Sequence, residues 1–106
     1  MGIMKTNDLK ATYFTPETTS YKVVIELYTE PNKKGKMSRY ALKEFKQGKV
    51  VISEVYDIEI KRYVNLTNAI KAGQRLTQYF NNCEVSILGY DHKGIATIWV
   101  KLDYLK

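Results

Sequence analysis

From Asn65 to Asn82 the apolar and small residues return every three or four positions, at Leu66, Ala69, Ile70, Gly73, Leu76, Thr77 and Phe80. That spacing stacks them on one side of an α-helix. Asn65 or Thr67 supplies a short polar side chain that accepts a bond from an unpaired N–H at the start, and Asn81-Asn82 tolerates the left-handed backbone that ends many helices. The pattern predicts one helix over about 66–81, and the remaining chain must cover its apolar side.

Elsewhere the period is two. Tyr21 to Glu30 alternates, with Val23, Ile25 and Leu27 on one face and Lys22, Val24, Glu26 and Tyr28 on the other, as a half-buried strand requires. Pro31-Asn32-Lys33-Lys34-Gly35-Lys36 breaks it. Met37 to Phe45 predicts a second strand whose Tyr40 and Leu42 join the Ile25 and Leu27 face. Lys46-Gln47-Gly48 reads as a hairpin connection, which sets Leu42 opposite Ile52. From Lys49 to Val64, Val50, Ile52, Tyr56, Ile58, Ile60 and Val64 share a face, interrupted by Glu54 and Arg62. Such a run far exceeds the usual strand of about five or six residues, so a bend near Glu54 to Asp57 is expected, splitting it into as many as two strands.

After the helix, a loop at Asp91-His92-Lys93-Gly94 predicts a closing hairpin. Pairing Tyr90 with Ile95 stacks Gly89 on Ala96, Ile87 on Ile98, Val85 on Val100 and Cys83 on Leu102, all apolar or small. The same register sets Leu88 beside Thr97, Ser86 beside Trp99 and Glu84 beside Lys101, a cross-strand charge pair. The fold expected is α+β: an antiparallel sheet of five to six strands with the single helix packed on one face, in the order βββ(β)αββ. Residues 1–20 are polar and read as an N-terminal arm anchored by Tyr13 and Phe14, leaving 21–106 as one domain. One helix covers one face. The second face, with Trp99, Tyr90, Leu88 and Val24 or Tyr28, is left as open surface, binding platform or homodimer interface.

Composition narrows the partner more than the chemistry. The 106 residues hold 17 Lys and Arg against 11 Asp and Glu, a formal charge of +6, which attracts an anionic partner at long range. Cys83 is the single cysteine and His92 the single histidine, so neither an internal disulfide nor a four-ligand zinc site is expected. Cys83 reads as a small core residue. No cofactor is implied. No apolar run approaches the roughly 18 residues of a membrane span, and the start lacks a signal-peptide core, so a cytoplasmic protein is expected.

Nine tyrosines and a tryptophan interleave with this basic excess. Sequence-tolerant binding of single strands uses aromatic faces for bases and Lys or Arg for phosphates. The candidate phosphate contacts are Lys33, Lys34, Lys36, Arg39, Lys71 and Arg75. The pool for base stacking or an interface is Tyr40, Tyr63, Tyr79, Tyr90 and Trp99.

Arg39-Tyr-Ala-Leu-Lys-Glu-Phe-Lys-Gln-Gly-Lys-Val-Val-Ile-Ser, followed by Val64-Asn-Leu-Thr and a helix, resembles the strand, turn, strand and helix of positive-cofactor-four-type single-stranded-DNA-binding domains. The resemblance covers about residues 37–80, and this chain differs in having a strand before it and a hairpin after. It implies a curved antiparallel sheet with one helix, generally dimeric, that binds melted DNA, with Arg39, Lys43, Lys46 and Lys49 along a strand.

Two other function classes remain open. Glu59-Ile60-Lys61 resembles one half of a metal-dependent nuclease centre, in which carboxylates hold Mg²⁺ and the lysine stabilises charge. Its second carboxylate would have to be Glu44, since Glu54 and Asp57 share a strand with Glu59. Alternatively, a compact Lys-, Tyr- and Asn-rich domain suits a phage- or plasmid-type module that binds a host protein complex through Trp99 and Tyr90. The expectation drawn from these readings is a non-enzymatic nucleic-acid-binding protein, favouring single-stranded DNA or RNA.

Overall fold

Tyr21 to Ile25 are buried on both sides of an extended backbone, which is the environment of a central strand. The computed structural model describes residues 6–30, 35–57 and 60–105, so the expectations for Lys33, Lys34 and Glu59 lie outside the described residues. Strands β1 (Ser20–Tyr28), β2 (Met37–Lys46), β3 (Lys49–Ser53), β4 (Cys83–Tyr90) and β5 (Ala96–Lys101) form one antiparallel sheet in the order β3-β2-β1-β4-β5. The fold is α+β.

Helix α1 (Thr6–Tyr13) precedes the sheet, and α2 (Leu66–Leu76) lies between β3 and β4. The Asn65 side chain caps α2, accepting from the backbone N–H of Thr67 at 2.8 Å and of Asn68 at 3.4 Å. Leu66, Ala69, Ile70, Gly73 and Leu76 are buried against Tyr21, Val23 and Ile25 of β1, Leu42 of β2 and Val85 and Ile87 of β4. The helical spacing thus meets the strand spacing on one face. α2 ends five residues before the expected boundary. A 3-10 turn over Thr77–Tyr79 tightens it, and Phe80 is then extended at φ −137° and ψ 144°, which brings its ring to the core. Among the described residues only Gln47 has positive φ without being glycine, so Asn81-Asn82 ends nothing by left-handed geometry.

Within the arm, Thr6–Tyr13 is helical, and Leu9 and Phe14 join the core. The Phe14 ring meets Tyr21 edge-on at 5.1 Å. A methyl group on Gly89 would come within 2.8 Å of Thr18 and 3.1 Å of Phe14, so this glycine lets the segment after α1 lie against β4.

Three register expectations change. Gln47-Gly48 is a two-residue loop with φ of 51° and 75°, closed by the Lys46–Lys49 pair, while Leu42 does face Ile52. In the last hairpin Leu88 opposes Trp99 and Ile87 opposes Val100, a slip of two residues from the expected pairing. Faces survive a two-residue slip because side chains alternate. An irregularity between Leu88 and Tyr90 then puts Ala96 opposite Tyr90 and leaves Ile98 exposed. Glu84 and Lys101 still pair at 3.1 Å, diagonally.

The third change concerns the long run after Lys49. β3 stops at Ser53, a turn follows, and no second strand forms among the described residues there. Instead Tyr63 makes an isolated bridge to Tyr21, with N–H to carbonyl distances of 2.7 Å in both directions. β2 pairs with β1 from Met37 to Ala41 and with β3 from Ala41 to Lys46, with a bulge between Leu42 and Glu44. The edge of β1 that β2 leaves is the one Tyr63 takes.

Candidate nucleic-acid interface

Residues 60–63 run between two recesses because extended backbone sends successive side chains to opposite sides. Lys61 and Tyr63 line a cleft on the helix side, and Ile60 and Arg62 line a recess on the second face of the sheet.

The helix-side cleft holds about 530 Å³ and is built where β2 swings away from β1. β2 contributes Lys43, Glu44 and Phe45, the bridging segment Lys61 and Tyr63, and α2 Lys71, Ala72 and Arg75. Among the described residues, four cations therefore face one carboxylate. The Arg75 guanidinium lies 4.1 Å from the Phe45 ring centre, Lys61 Nζ lies 5.1 Å from that of Tyr63, and Phe45 and Tyr79 meet at 5.9 Å. A guanidinium laid over a ring keeps its in-plane N–H donors for an anion. Burial pushes the Tyr63 hydroxyl above its ordinary value, and the Arg75 charge partly offsets this, so the phenol stays protonated near neutrality. The cleft can grip phosphate oxygens beside aromatic rings.

The second-face recess holds about 1050 Å³. Its floor is a small apolar cluster of Val24, Leu88 and Tyr90, on which Val55 of the β3–α2 connection packs. That connection is tied down by Ser53 Oγ, which donates to Asp57 Oδ2 at 2.7 Å, and by Lys22 Nζ, which donates to the Val55 carbonyl at 2.7 Å. Lys22 is 4% exposed, with its ammonium 4.9 Å from the Tyr90 ring centre. Arg62 covers the same ring at 4.1 Å. Arg39 of β2 leans across β1 and β4 to lie 4.5 Å from the Trp99 ring centre on β5, while also pairing with Glu26 at 3.1 Å. Three strand spacings separate those backbones, roughly 14 Å. Their side chains meet above Val24, Ala41 and Ser86, all buried. The Ser86 hydroxyl has no hydrogen-bond partner among the described residues.

The candidate residues are thus divided. Lys71, Arg75 and Tyr63 share the helix-side cleft, with Tyr79 touching its Phe45 wall, whereas Arg39, Tyr90 and Trp99 share the second-face recess. Lys36 is exposed beside the β1–β2 turn, and Tyr40 packs half-buried against the helix-side core; neither lines a recess. Arg39, Lys43 and Lys46 lie on β2, and Lys49 opens β3. Lys61, on which the nuclease alternative rested, stands outside any strand, and among the described residues no three His, Cys, Asp or Glu side chains gather as a metal site.

Sequence reasoning passed over Lys22, Phe45, Val55 and Tyr56 as site residues. Lys22 carried a usable signal, the single cation in a strand that is otherwise largely apolar. Val55 and Tyr56 carried none, because the alternation read from Lys49 to Val64 assigned them to a strand that in the structure ends at Ser53. Among the described residues no helix is long and apolar enough to cross a membrane. No protein-family model matches this chain, and no curated protein and no solved structure matches it either.

Proposed function

We infer that this protein binds single-stranded or otherwise exposed nucleic acid with little sequence preference and without catalysis. The observation that carries the reading is the helix-side cleft, where Lys43, Lys61, Lys71 and Arg75 surround Phe45 and Tyr63 with Glu44 as the one carboxylate lining it among the described residues. Phosphates supply most of the affinity in such binding, and aromatic faces accept any base. The overall charge of +6 would draw a polyanion toward that cleft. The resemblance of residues 37–80 to positive-cofactor-four-type domains agrees with this ligand class, and a homodimer would double the binding surface.

The test is a titration of labelled single-stranded and double-stranded oligonucleotides at two salt concentrations. Single strands are expected to bind more tightly, with affinity falling by a log–log slope of roughly −0.7 per phosphate neutralised. Lys71→Ala and Arg75→Ala should each lower that slope by about one contact. Absence of binding at low salt sinks the reading.

A protein partner is the second reading, favoured by one observation. Ile95, Ile98, Trp99 and Tyr104 are exposed on or beside β5, an edge strand of the sheet. Salt-insensitive capture of a protein partner, lost in Ile98→Asp, would favour it.

A further inference from the structure

We propose that the second-face recess holds one nucleotide, its base against Trp99 and its phosphate between Arg39, Arg62 and Lys22. The inference rests on the nucleic-acid reading for the class of ligand, and it concerns a different site from the phosphate-gripping cleft.

Size, charge and built geometry each support it. At about 1050 Å³ the recess sits near the upper end of ligand pockets and takes a planar ring with a sugar and phosphate. Lys22 is a built anion partner: the residue is 4% exposed, one ammonium donor is spent on the Val55 carbonyl, and the others are left for the recess it lines. Arg39 lies over Trp99 and donates to Glu26 at 3.1 Å, while Arg62 lies over Tyr90, and the N–H donors that remain at the two guanidinium rims are placed to take phosphate oxygens. Trp99 is 38% exposed, enough to offer ring surface to a base.

The carboxylates decide between ligands. Among the described residues Glu54 and Asp57 also line the recess beside its three cations, one of which, Arg39, already pairs with Glu26, whereas the cleft is lined by four cations and one acid. A di- or triphosphate would crowd those carboxylates, whereas a single phosphate fits between Lys22, Arg62 and the Arg39 donors that Glu26 leaves. The carboxylate oxygens also suit the exocyclic amino group of adenine or cytosine. The recess therefore takes a monophosphate nucleotide, free or as an unstacked unit of a strand whose neighbours lie along the cleft. Leaving the stack is cheap for a base that is already single-stranded.

The experiment titrates the full chain with adenosine 5′-monophosphate, following Trp99 fluorescence and calorimetric heat, and repeats it with adenosine, inorganic phosphate and adenosine 5′-triphosphate. Saturable quenching by the monophosphate is expected, with adenosine and phosphate each weaker by roughly tenfold or more and the triphosphate no tighter. Arg62→Ala and Arg39→Ala should each weaken it by about tenfold, with far-ultraviolet circular dichroism confirming that each variant is folded. Two results overturn the proposal: no saturable response to the monophosphate, or a response that both arginine variants leave unchanged. Oligonucleotide binding that persists while the monophosphate fails overturns this inference alone. Monophosphate binding without oligonucleotide binding overturns the function proposed for the cleft and leaves the recess standing.

Discussion

The two faces of the sheet bury side chains by different means. On the helix side, Val23, Ile25, Leu42, Ile87 and Val100 meet Leu66, Ala69, Ile70 and Leu76 in a continuous apolar core. On the second face the apolar cluster is only Val24, Leu88 and Tyr90 with Val55 against it, and the rest of the cover is cationic. Lys22 and Arg62 lie over Tyr90 and Arg39 over Trp99. The first arrangement excludes water by apolar area. The second excludes it with guanidinium and ammonium groups that retain donors, and so combines cover with recognition. A sheet stabilised mainly from one side can use the other for a ligand.

The sharpest way to break the contrast is to put a charge on the helix side. Ile25 and Lys22 both sit in β1, but Ile25 is fully buried within the apolar core cluster. Ile25→Lys should cost more than about 4 kcal/mol and leave the chain unfolded or molten by near-ultraviolet circular dichroism. A native-like melt for that variant would erase the distinction.

Neighbouring residues on opposite faces of β4 give a smaller effect. Ile87→Ala should lose about 3–5 kcal/mol in urea unfolding, because its site is closed on every side. Leu88→Ala should lose about 2 kcal/mol, since the recess beside it lets the cluster collapse or hydrate. Equal losses would mean that the second face is as tightly packed as the first.

Lys22→Met keeps the stem and removes the charge. The Val55 carbonyl can turn to water in the recess, so stability should change by less than about 1 kcal/mol while nucleotide affinity falls. A large loss of stability would make Lys22 a structural rather than a recognition residue.

The smallest effect belongs to the β4–β5 turn, whose Gly94 lines the recess. Asp91 accepts the backbone N–H groups of Ile95 and Lys93, both at 2.9 Å, and these hold its carboxyl below the ordinary aspartate range, with Ile95 the larger cause. A depressed folded value means that its contribution is full above the unfolded value and is lost as pH falls through the lower folded one. Nuclear magnetic resonance titration should place the Asp91 midpoint below that of a model peptide, and Asp91→Asn should remove the difference in turn order between neutral and acid pH. A normal midpoint would remove the turn from the account.

Much of the helix-side architecture was written in periodicity. The three-and-four spacing of α2, its Asn65 cap, the alternation of β1 and the Leu42–Ile52 pairing all follow from local side-chain geometry, which is the same whatever lies around it. Register in the last hairpin was not legible to that degree. A two-residue slip keeps the faces of Ile87, Leu88, Trp99 and Val100, and alternation by itself does not reveal the irregularity near Gly89 that sets Ala96 opposite Tyr90. The gathering of Lys71, Arg75 and Tyr63 into one cleft, and of Arg39, Arg62, Tyr90 and Trp99 into another recess, required the bulge in β2 and the connection through residues 53–63 to place them. Sequence by itself determined which residues share a helix side or a strand face, because those are short-range consequences of backbone period. Tertiary structure alone decided which cations stand over which rings, because Arg39 and Trp99 are sixty residues apart and meet only once four strands lie side by side.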